Sequence, residues 1–427
     1  MTERTVGVVG LGYVGLPLAV TFAEAGFRVV GVDVDAGKVA TLRAGGCYVA
    51  DVPTAQVAAL VEAGRLLPTT EYGALAGAEG VSICVPTPLG KAKDPDVSYV
   101  AAAAERLAPV LRRGQVVVLE STVYPGATEE LVAPLLERGS GLRAGEDFAL
   151  AFSPERINPG DRRWRARDIP KLVGGVNAAS TERAAALYRE VFATVVPLAS
   201  AREAELAKLL ENTFRAVNIG LVNELAVLAH RLGVDIWRVI DAAATKPFGF
   251  MPFYPGPGWG GHCIPVDPFY LSWRARVDGA EAGFIEHAGR VNDRMPAWVV
   301  ERVADLLNRR GRSLQGSRLL LLGVAYKGDV GDVRESPALP ILALLVRKGA
   351  RVAYHDPHVP EVRHLEWTWR SLPLTPETLA AQDCVVVVTD HSGVDYGLVV
   401  EHAPLVFDAR NATRHVRGRA RGEVVLL

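Results

Sequence analysis

Residues 6–9 form a short β-branched run that leads directly into Gly10-Leu11-Gly12-Tyr13-Val14-Gly15, and a helical pattern opens at about Leu16. Few folds accept that order of parts. Gly10 suits a tight turn leaving a strand, Gly12 lets the backbone come close to a ligand, and Gly15 lets a helix pack hard against the strand. Unpaired amides at such a helix start attract an anion. A second run over residues 28–32 ends on Asp33, near the ~20-residue offset of an acid that binds ribose hydroxyls. Together these parts predict a parallel α/β domain with a dinucleotide at its strand ends. Asp33 would repel a 2′-phosphate, which favours NAD over NADP. Lys38 weakens that preference, or lies along the adenosine.

Further strand patterns fall at residues 80–85, 116–120, 148–152 and 194–197, with helical spacing between them at 101–111 and 128–136. Two loops should lie at the same carboxyl edge, Val85-Pro86-Thr87-Pro88 and Glu120-Ser121-Thr122. The hydroxyls of Thr87, Ser121 and Thr122 are candidates for the nicotinamide amide or a reacting substrate. Ordinary capping of loop ends explains each one equally well.

From about residue 203 the pattern turns helical, unbroken to 232 and closed by Gly233; a short helix follows from 235 and a long one spans 281–308. The α/β pattern returns at Gly316, with strands at 319–324, 351–355, 384–389 and 405–408 and a helix at 337–348. The expected architecture is therefore two Rossmann-like doubly wound α/β domains joined by a central all-helical domain with a long connecting helix. The boundaries read as 1–200, 201–310 and 311–427. A chain of 427 residues is in any case too long for one ordinary core.

With 49% hydrophobic and 22% charged residues and a formal net charge of −1, the chain reads as globular and lacks the basic patch of a nucleic-acid or membrane-surface binder. No apolar stretch approaches the ~20 residues that span a bilayer, and the first residues lack the pattern of a signal peptide. Cys47, Cys84, Cys263 and Cys384 are scattered without a Cys-x-x-Cys pair. Neither a disulfide framework nor a metal site is expected, and a reducing cytoplasm is the simplest location.

Two segments carry chemistry. On the long helix, Lys208, Asn212 and Arg215 share one face by their spacing. An ammonium and an amide there can hold an oxyanion; a solvated polar stripe is the plainer alternative. Leu206, Leu209 and Leu210 favour the first reading, because they surround Lys208 with apolar positions. The second segment, residues 252–268, holds Phe253, Tyr254, Gly256, Gly258, Gly260, Gly261, Cys263 and Asp267. Its glycines bring backbone close to a ligand, and a helix pattern over 269–276 follows. A thiol before a helix start is biased toward thiolate, and Asp267 can take a proton from water. Cys84 and Cys384 lie within strand patterns and Cys47 in a turn, so they read as structural.

Taken in order, GLGYVGLP at 10–17, STVYPG at 121–126, FSPER at 152–156, Lys208 with Asn212, GWGGHCIPVDP at 258–268 and GVAYKGDVGDVRESP at 323–337 resemble the UDP-sugar 6-dehydrogenase family across essentially the whole chain. The resemblance implies two successive oxidations of a sugar C6 alcohol by two NAD, through a thioester on Cys263, and a homodimer or higher homo-oligomer. It implies oxyanion support from Lys208 and Asn212, ordering of water or base by Thr122 and Asp267, and thioester hydrolysis assisted by Glu155. It matches Tyr326 and Lys327 to positions holding the UDP part, Arg334 to one reaching NAD, and Arg410 to a substrate-side arginine. By position in the same motifs, Tyr13, Val14 and Ser121 are cofactor candidates. Arg156, Ile157, Arg215, Phe253, Tyr254, Gly256 and Gly260 are substrate candidates.

Two departures bear on the sugar. Pro159 stands where the UDP-glucose branch carries a second glutamate, and Val266 stands where that branch tends to have lysine. The wording around Cys263 is closer to UDP-N-acetylhexosamine enzymes, and within them to the N-acetylglucosamine branch that feeds surface polysaccharides. The N-acetylmannosamine and glucose enzymes are the rivals. A β-hydroxyacid-type dehydrogenase would leave Cys263 and the last domain unused. A non-catalytic nucleotide sensor would not need Cys263, Lys208, Asp267 and Glu155 together.

Overall fold

The computed structural model describes residues 4–49, 51–90, 92–157 and 165–427. The chain divides into two compact units, one of residues 1–211 with 269–280 and one of residues 212–268 with 281–427.

The first unit is built on one sheet. Its strands are β1 (Thr5–Val9), β2 (Arg28–Val32), β3 (Leu66–Thr69), β4 (Gly80–Ile83), β5 (Val116–Leu119), β6 (Ala149–Phe152), β7 (Lys171–Gly175) and β8 (Val195–Leu198), ordered β3-β2-β1-β4-β5-β6-β7-β8. All neighbours are parallel except β6 and β7. Alternate residues feed two cores. Val6, Val8, Val29 and Val118 pack on one face, and Val9, Val30, Val117 and Leu119 on the other. Both faces are covered, so these strands read as continuous apolar runs rather than as polar–apolar alternation.

The strand order reverses between β1 and β4, and the loops leaving these two strands open the crevice where doubly wound sheets take a ligand. Strands β3 and β7 escaped the pattern reading. Pro68 lies inside β3, which an edge strand tolerates because one of its sides donates no ladder bonds. β7 begins with a lysine and ends in two glycines, a composition that does not read as a strand; it pairs with β6 and β8, and its lysine is buried in an ion pair with Glu120.

In the second unit, β9 (Arg318–Leu322), β10 (Arg351–His355), β13 (Cys384–Val387), β14 (Leu405–Asp408) and β15 (Glu423–Leu426) form a wholly parallel sheet ordered β10-β9-β13-β14-β15. An antiparallel hairpin of β11 (Glu361–His364) and β12 (Trp367–Arg370) follows β10. Leu319 and Leu321 pack on one side with Ile341 and Leu342 of helix Ala338–Arg347, and with Val299 and Val303 of helix Gly283–Arg309. Here the order reverses between β9 and β13, and the loops after these strands carry residues 323–337 and 388–395.

The long helix runs from Ala201 to Leu232 and ends at Gly233, whose φ of +66° is the left-handed stop that glycine accepts. Among the described residues, no helix is long and apolar enough to cross a membrane.

Candidate functional site

The dinucleotide loop is organised by close approach. Gly10 has φ +89°, and a Cβ there would meet the Cys84 carbonyl oxygen at 2.5 Å. A Cβ on Gly15 would fall 1.8 Å from the Gly10 carbonyl oxygen, so neither position admits another residue. Gly12 faces open space. Helix Gly15–Glu24 begins with no side-chain cap; Leu16 donates to the Gly12 carbonyl at 3.0 Å and Pro17 has no amide hydrogen, so the Gly15 amide and the positive end of the helix dipole are what its start offers an anion. Asp33 is 7% exposed; its carboxylate accepts from the amides of Leu11 and Asp35, each at 2.9 Å. Lys38 Nζ lies 3.9 Å from that carboxylate, and its side chain reaches over the Tyr48 ring. An ordered acid at the end of β2 and an uncapped helix start fit NAD. These residues would hold its ribose and pyrophosphate.

At the neighbouring strand ends, the Ser121 hydroxyl donates to the Val85 carbonyl at 2.8 Å, leaving only its lone pairs to a ligand. The Thr87 carbonyl accepts from Tyr270 at 2.9 Å. Thr122 is half-buried. Its loop is tied down by Glu205, which accepts from the amides of Gly126 (2.5 Å) and Thr128 (2.9 Å) and from the Thr128 hydroxyl (2.6 Å). Burial pushes the Glu205 carboxyl up to about 7 against those three bonds.

Glu155 follows β6. Its Oε1 accepts from the amides of Arg156 (2.6 Å) and Ile157 (2.7 Å), and its backbone carbonyl accepts from Lys208 Nζ at 2.7 Å. The Arg156 guanidinium pairs with Glu211 at 2.7 Å. Beneath Glu155 lies an ionic cluster that sequence reading missed. Lys171 Nζ is 2.5 Å from Glu120 and 3.8 Å from Glu155 Oε2, and the Tyr188 hydroxyl donates to Glu120. Lys171 and Glu120 are 4% and 2% exposed. Burial pushes Glu120 up while Lys171 pulls it down; burial disfavours the Lys171 charge, but Glu120 and Glu155 together raise it. Pro159, on which part of the substrate reading rests, lies outside the described residues.

On the long helix Lys208 is 8% exposed. The expected apolar surround is one-sided: Leu209 is buried, but Leu206 and Leu210 are 45% and 62% exposed and lie on the opposite face. Asn212 donates to Asp267 Oδ2 at 2.5 Å, so two predicted site residues meet. Arg215 is exposed.

The cysteine loop owes its shape to its neighbours. A Cβ on Gly256 would meet Arg410 Nη1 at 2.6 Å, and one on Gly260 would meet Tyr326 Cβ at 2.8 Å. Gly261, at φ +88°, donates to the Arg334 carbonyl at 3.1 Å, and a Cβ there would strike the Tyr326 ring at 2.8 Å. The Gly256 amide donates to Asn223, which bonds Asn292 in turn. The chain thus seats its cysteine loop on residues 323–337, with Arg410 beside it. Lys327 on that loop is half-buried.

Cys263 is half-buried, and its carbonyl accepts from the amides of Val266 (3.0 Å) and Asp267 (2.8 Å) at the start of helix Asp267–Val277. His262 Nδ1 lies 2.8 Å from its Sγ. That imidazole was in plain view in the motif, yet its residue type alone did not mark it. Burial pushes the Cys84 thiol well up and that of Cys384 up to about 12, which suits inert core residues.

Other candidates are engaged structurally. The Tyr254 hydroxyl donates to Asp241 at 2.8 Å and its ring stacks on Trp237; Phe253 packs edge-on against Phe214. Arg334 makes a bidentate pair with Asp332, and Arg410 Nε donates to Asp390 at 3.1 Å.

The UDP-glucose/GDP-mannose dehydrogenase family matches the chain in three successive parts: its NAD binding domain over residues 4–192, its central domain over 202–294 and its UDP binding domain over 320–415. The chain belongs to this family and is an NAD-dependent UDP-sugar dehydrogenase. A UDP-N-acetyl-D-glucosamine 6-dehydrogenase of Pseudomonas aeruginosa is 40% identical over 393 residues, 92% of each chain. A UDP-N-acetyl-D-mannosamine dehydrogenase of Pyrococcus horikoshii is 36% identical over 432 residues, covering 98% of this chain and 100% of that one. The solved structure of a UDP-D-ManNAc dehydrogenase from Pyrococcus horikoshii superposes with a TM-score of 0.90 at 34% identity, over 99% of both chains.

Proposed function

We propose that this chain oxidises the C6 alcohol of UDP-N-acetylglucosamine to a carboxylate through a thioester on Cys263, supplying a uronic acid for polysaccharide synthesis. The observation that carries the reading is the cysteine loop, whose glycines seat it on the Tyr326 loop and whose thiol has an imidazole at 2.8 Å. NAD, when bound, accepts the hydride of each of two oxidations. In the first, Lys208 and Asn212 stabilise the developing alkoxide, while Thr122 and Asp267 order the water that takes the hydroxyl proton. The Asn212–Asp267 bond fixes that carboxylate's direction. Sγ then adds to the aldehyde carbon; the thiol proton passes to His262 Nδ1, and the carbonyl oxygen takes up a proton to become the thiohemiacetal hydroxyl. Loss of a second hydride and of that hydroxyl proton leaves the thioester. Water activated by Glu155 adds to its carbonyl, the C–S bond breaks, and the acid departs from a restored thiolate.

The sugar assignment rests on the residues around Cys263 and on the Pseudomonas aeruginosa relative; the Pyrococcus horikoshii likeness favours UDP-N-acetylmannosamine as the second reading. Purified protein incubated with NAD and each UDP-sugar should form two NADH per UDP-N-acetylglucosamine consumed. Faster turnover of the mannosamine epimer overturns the sugar, and one NADH per sugar overturns the thioester route.

The domain division we adopt is 1–200 for NAD, 201–310 for the helical part and 311–427 for UDP. The requirement for a free thiol at Cys263 suits a reducing cytoplasm. A second copy is the occupant we assign to the long helix's outer face, where Leu221, Leu225, Leu228 and Leu232 are 54%, 40%, 50% and 67% exposed. A stripe at helical spacing on two-fold-related copies is self-complementary. Light scattering should give the mass of a dimer or larger assembly, and Leu225→Asp with Leu228→Asp should reduce it to one chain. A wild-type protein that runs as a single chain sinks the assignment.

A further inference from the structure

The second unit contains a buried polar chain that the proposed chemistry does not use. Asp356, just after β10, is 3% exposed. Its Oδ2 accepts from the amides of Val324 (2.7 Å) and Ala325 (3.1 Å) and from His391 Nε2 (3.0 Å). Its Oδ1 accepts from the amides of His358 (2.8 Å) and Val359 (3.1 Å). Burial pushes this carboxyl up, but the bonds from His391 and the amides outweigh it and hold the group below its ordinary range. It is therefore a fixed anion at the root of the 323–337 loop.

His391 carries the chain onward. It is fully buried, and its Nδ1 accepts from the Asp329 amide at 3.0 Å. An amide can be met there only by a lone pair, so the ring proton lies on Nε2 and donates to Asp356. The donor atoms of Asp329, His358 and His391 lie within 4.8 Å of one another. With both His391 nitrogens engaged, that group lacks the third ligand a cation would need.

The residue held at the far end is strained. Asp329 has φ +62°, a left-handed conformation that non-glycine residues adopt only when their surroundings impose it. Its carboxylate accepts from the Ser392 amide at 2.7 Å, and Thr389 Oγ1 donates to the Ala325 carbonyl at 2.7 Å. A Cβ on Gly328 would meet the Asp390 carbonyl oxygen at 2.5 Å. The loop after β13 thus clamps the loop after β9 on both sides of Tyr326 and Lys327.

We propose that Asp356 and His391 are positioning residues that hold the Asp329 backbone, and through it Tyr326 and Lys327, in the conformation that receives the uridine diphosphate. The inference rests on the reading of this loop as the nucleotide site. It differs from a general packing role in one respect: what matters is an acceptor at the Nδ1 position, not merely a filled cavity.

Two substitutions separate the roles. His391→Asn keeps an oxygen near Nδ1, while His391→Gln keeps an amide near Nε2 and loses that acceptor. Titration calorimetry with UDP on the full chain should show the Gln variant weakened on the order of tenfold, and the Asn variant much less, with NAD binding unchanged in both. Equal UDP affinity in wild type and the Gln variant overturns the proposal, as does an Asn variant as weak as the Gln one. If His391→Gln does not fold, a His391→Asn variant whose UDP binding falls about tenfold overturns it instead, because that variant keeps the acceptor for the Asp329 amide. A wild-type chain that ignores UDP would overturn the nucleotide reading itself, an outcome distinct from these.

Discussion

Cys263→Ala is expected to abolish carboxylate formation while leaving NAD binding intact. The thiol is the only group in the loop able to form a covalent adduct that both captures the aldehyde and makes it a hydride donor again. A free aldehyde has no second hydride to give until something adds to its carbon. Sulfur does so well because it is strongly nucleophilic and because its thioester is readily hydrolysed. His262 Nδ1, at 2.8 Å, gives the thiol proton a place to go. Removing Sγ should therefore lower acid production by several orders of magnitude, with the aldehyde or its hydrate as the residual product. Intact-protein mass measured during turnover should show a sugar-nucleotide adduct on the wild type and none on the variant. Acid formed by Cys263→Ala at the wild-type rate, or an adduct that persists in it, would refute the thioester route. The glycine positions around 256–261 would not be disturbed, so UDP binding serves as the control for folding.

The features legible in the sequence are those whose partners are near in the chain. The turn at Gly10, the helix start at Gly15 and the acid at Asp33 belong to one βαβ unit, so the spacing itself carries their geometry. The cysteine loop was legible for a similar reason, since the glycines, Cys263 and Asp267 occupy a single segment. Contacts closed by topology were not. Lys171 meets Glu120 across 51 positions, Glu205 meets the Gly126 amide across 79, and His391 meets Asp329 across 62. None of these has a local pattern to announce it. A lysine in a strand or a histidine after one reads as surface until the sheet order is known. The long helix shows the opposite error: three leucines near Lys208 looked like one apolar surround, but 100° per residue carries Leu206 and Leu210 to the outer face. Apolar type alone therefore said nothing about which partner each leucine was meant for.

Lys171→Met should be the most destabilising of the substitutions considered, costing about 3–5 kcal/mol, because it leaves the Glu120 carboxylate buried without its cation. Glu120 is 2% exposed and would keep only the Tyr188 hydroxyl, while the Pro154 carbonyl would lose the donor that Lys171 supplies at 3.3 Å. The penalty comes from the orphaned charge rather than from any large net gain of the pair, so it should be recoverable. Glu120→Gln added to Lys171→Met removes the charge but keeps an oxygen for Tyr188, and a urea midpoint should return most of the way toward wild type. A double variant as unstable as the single one would refute the ionic account and leave lost packing against Phe192 and Tyr188 as the cause.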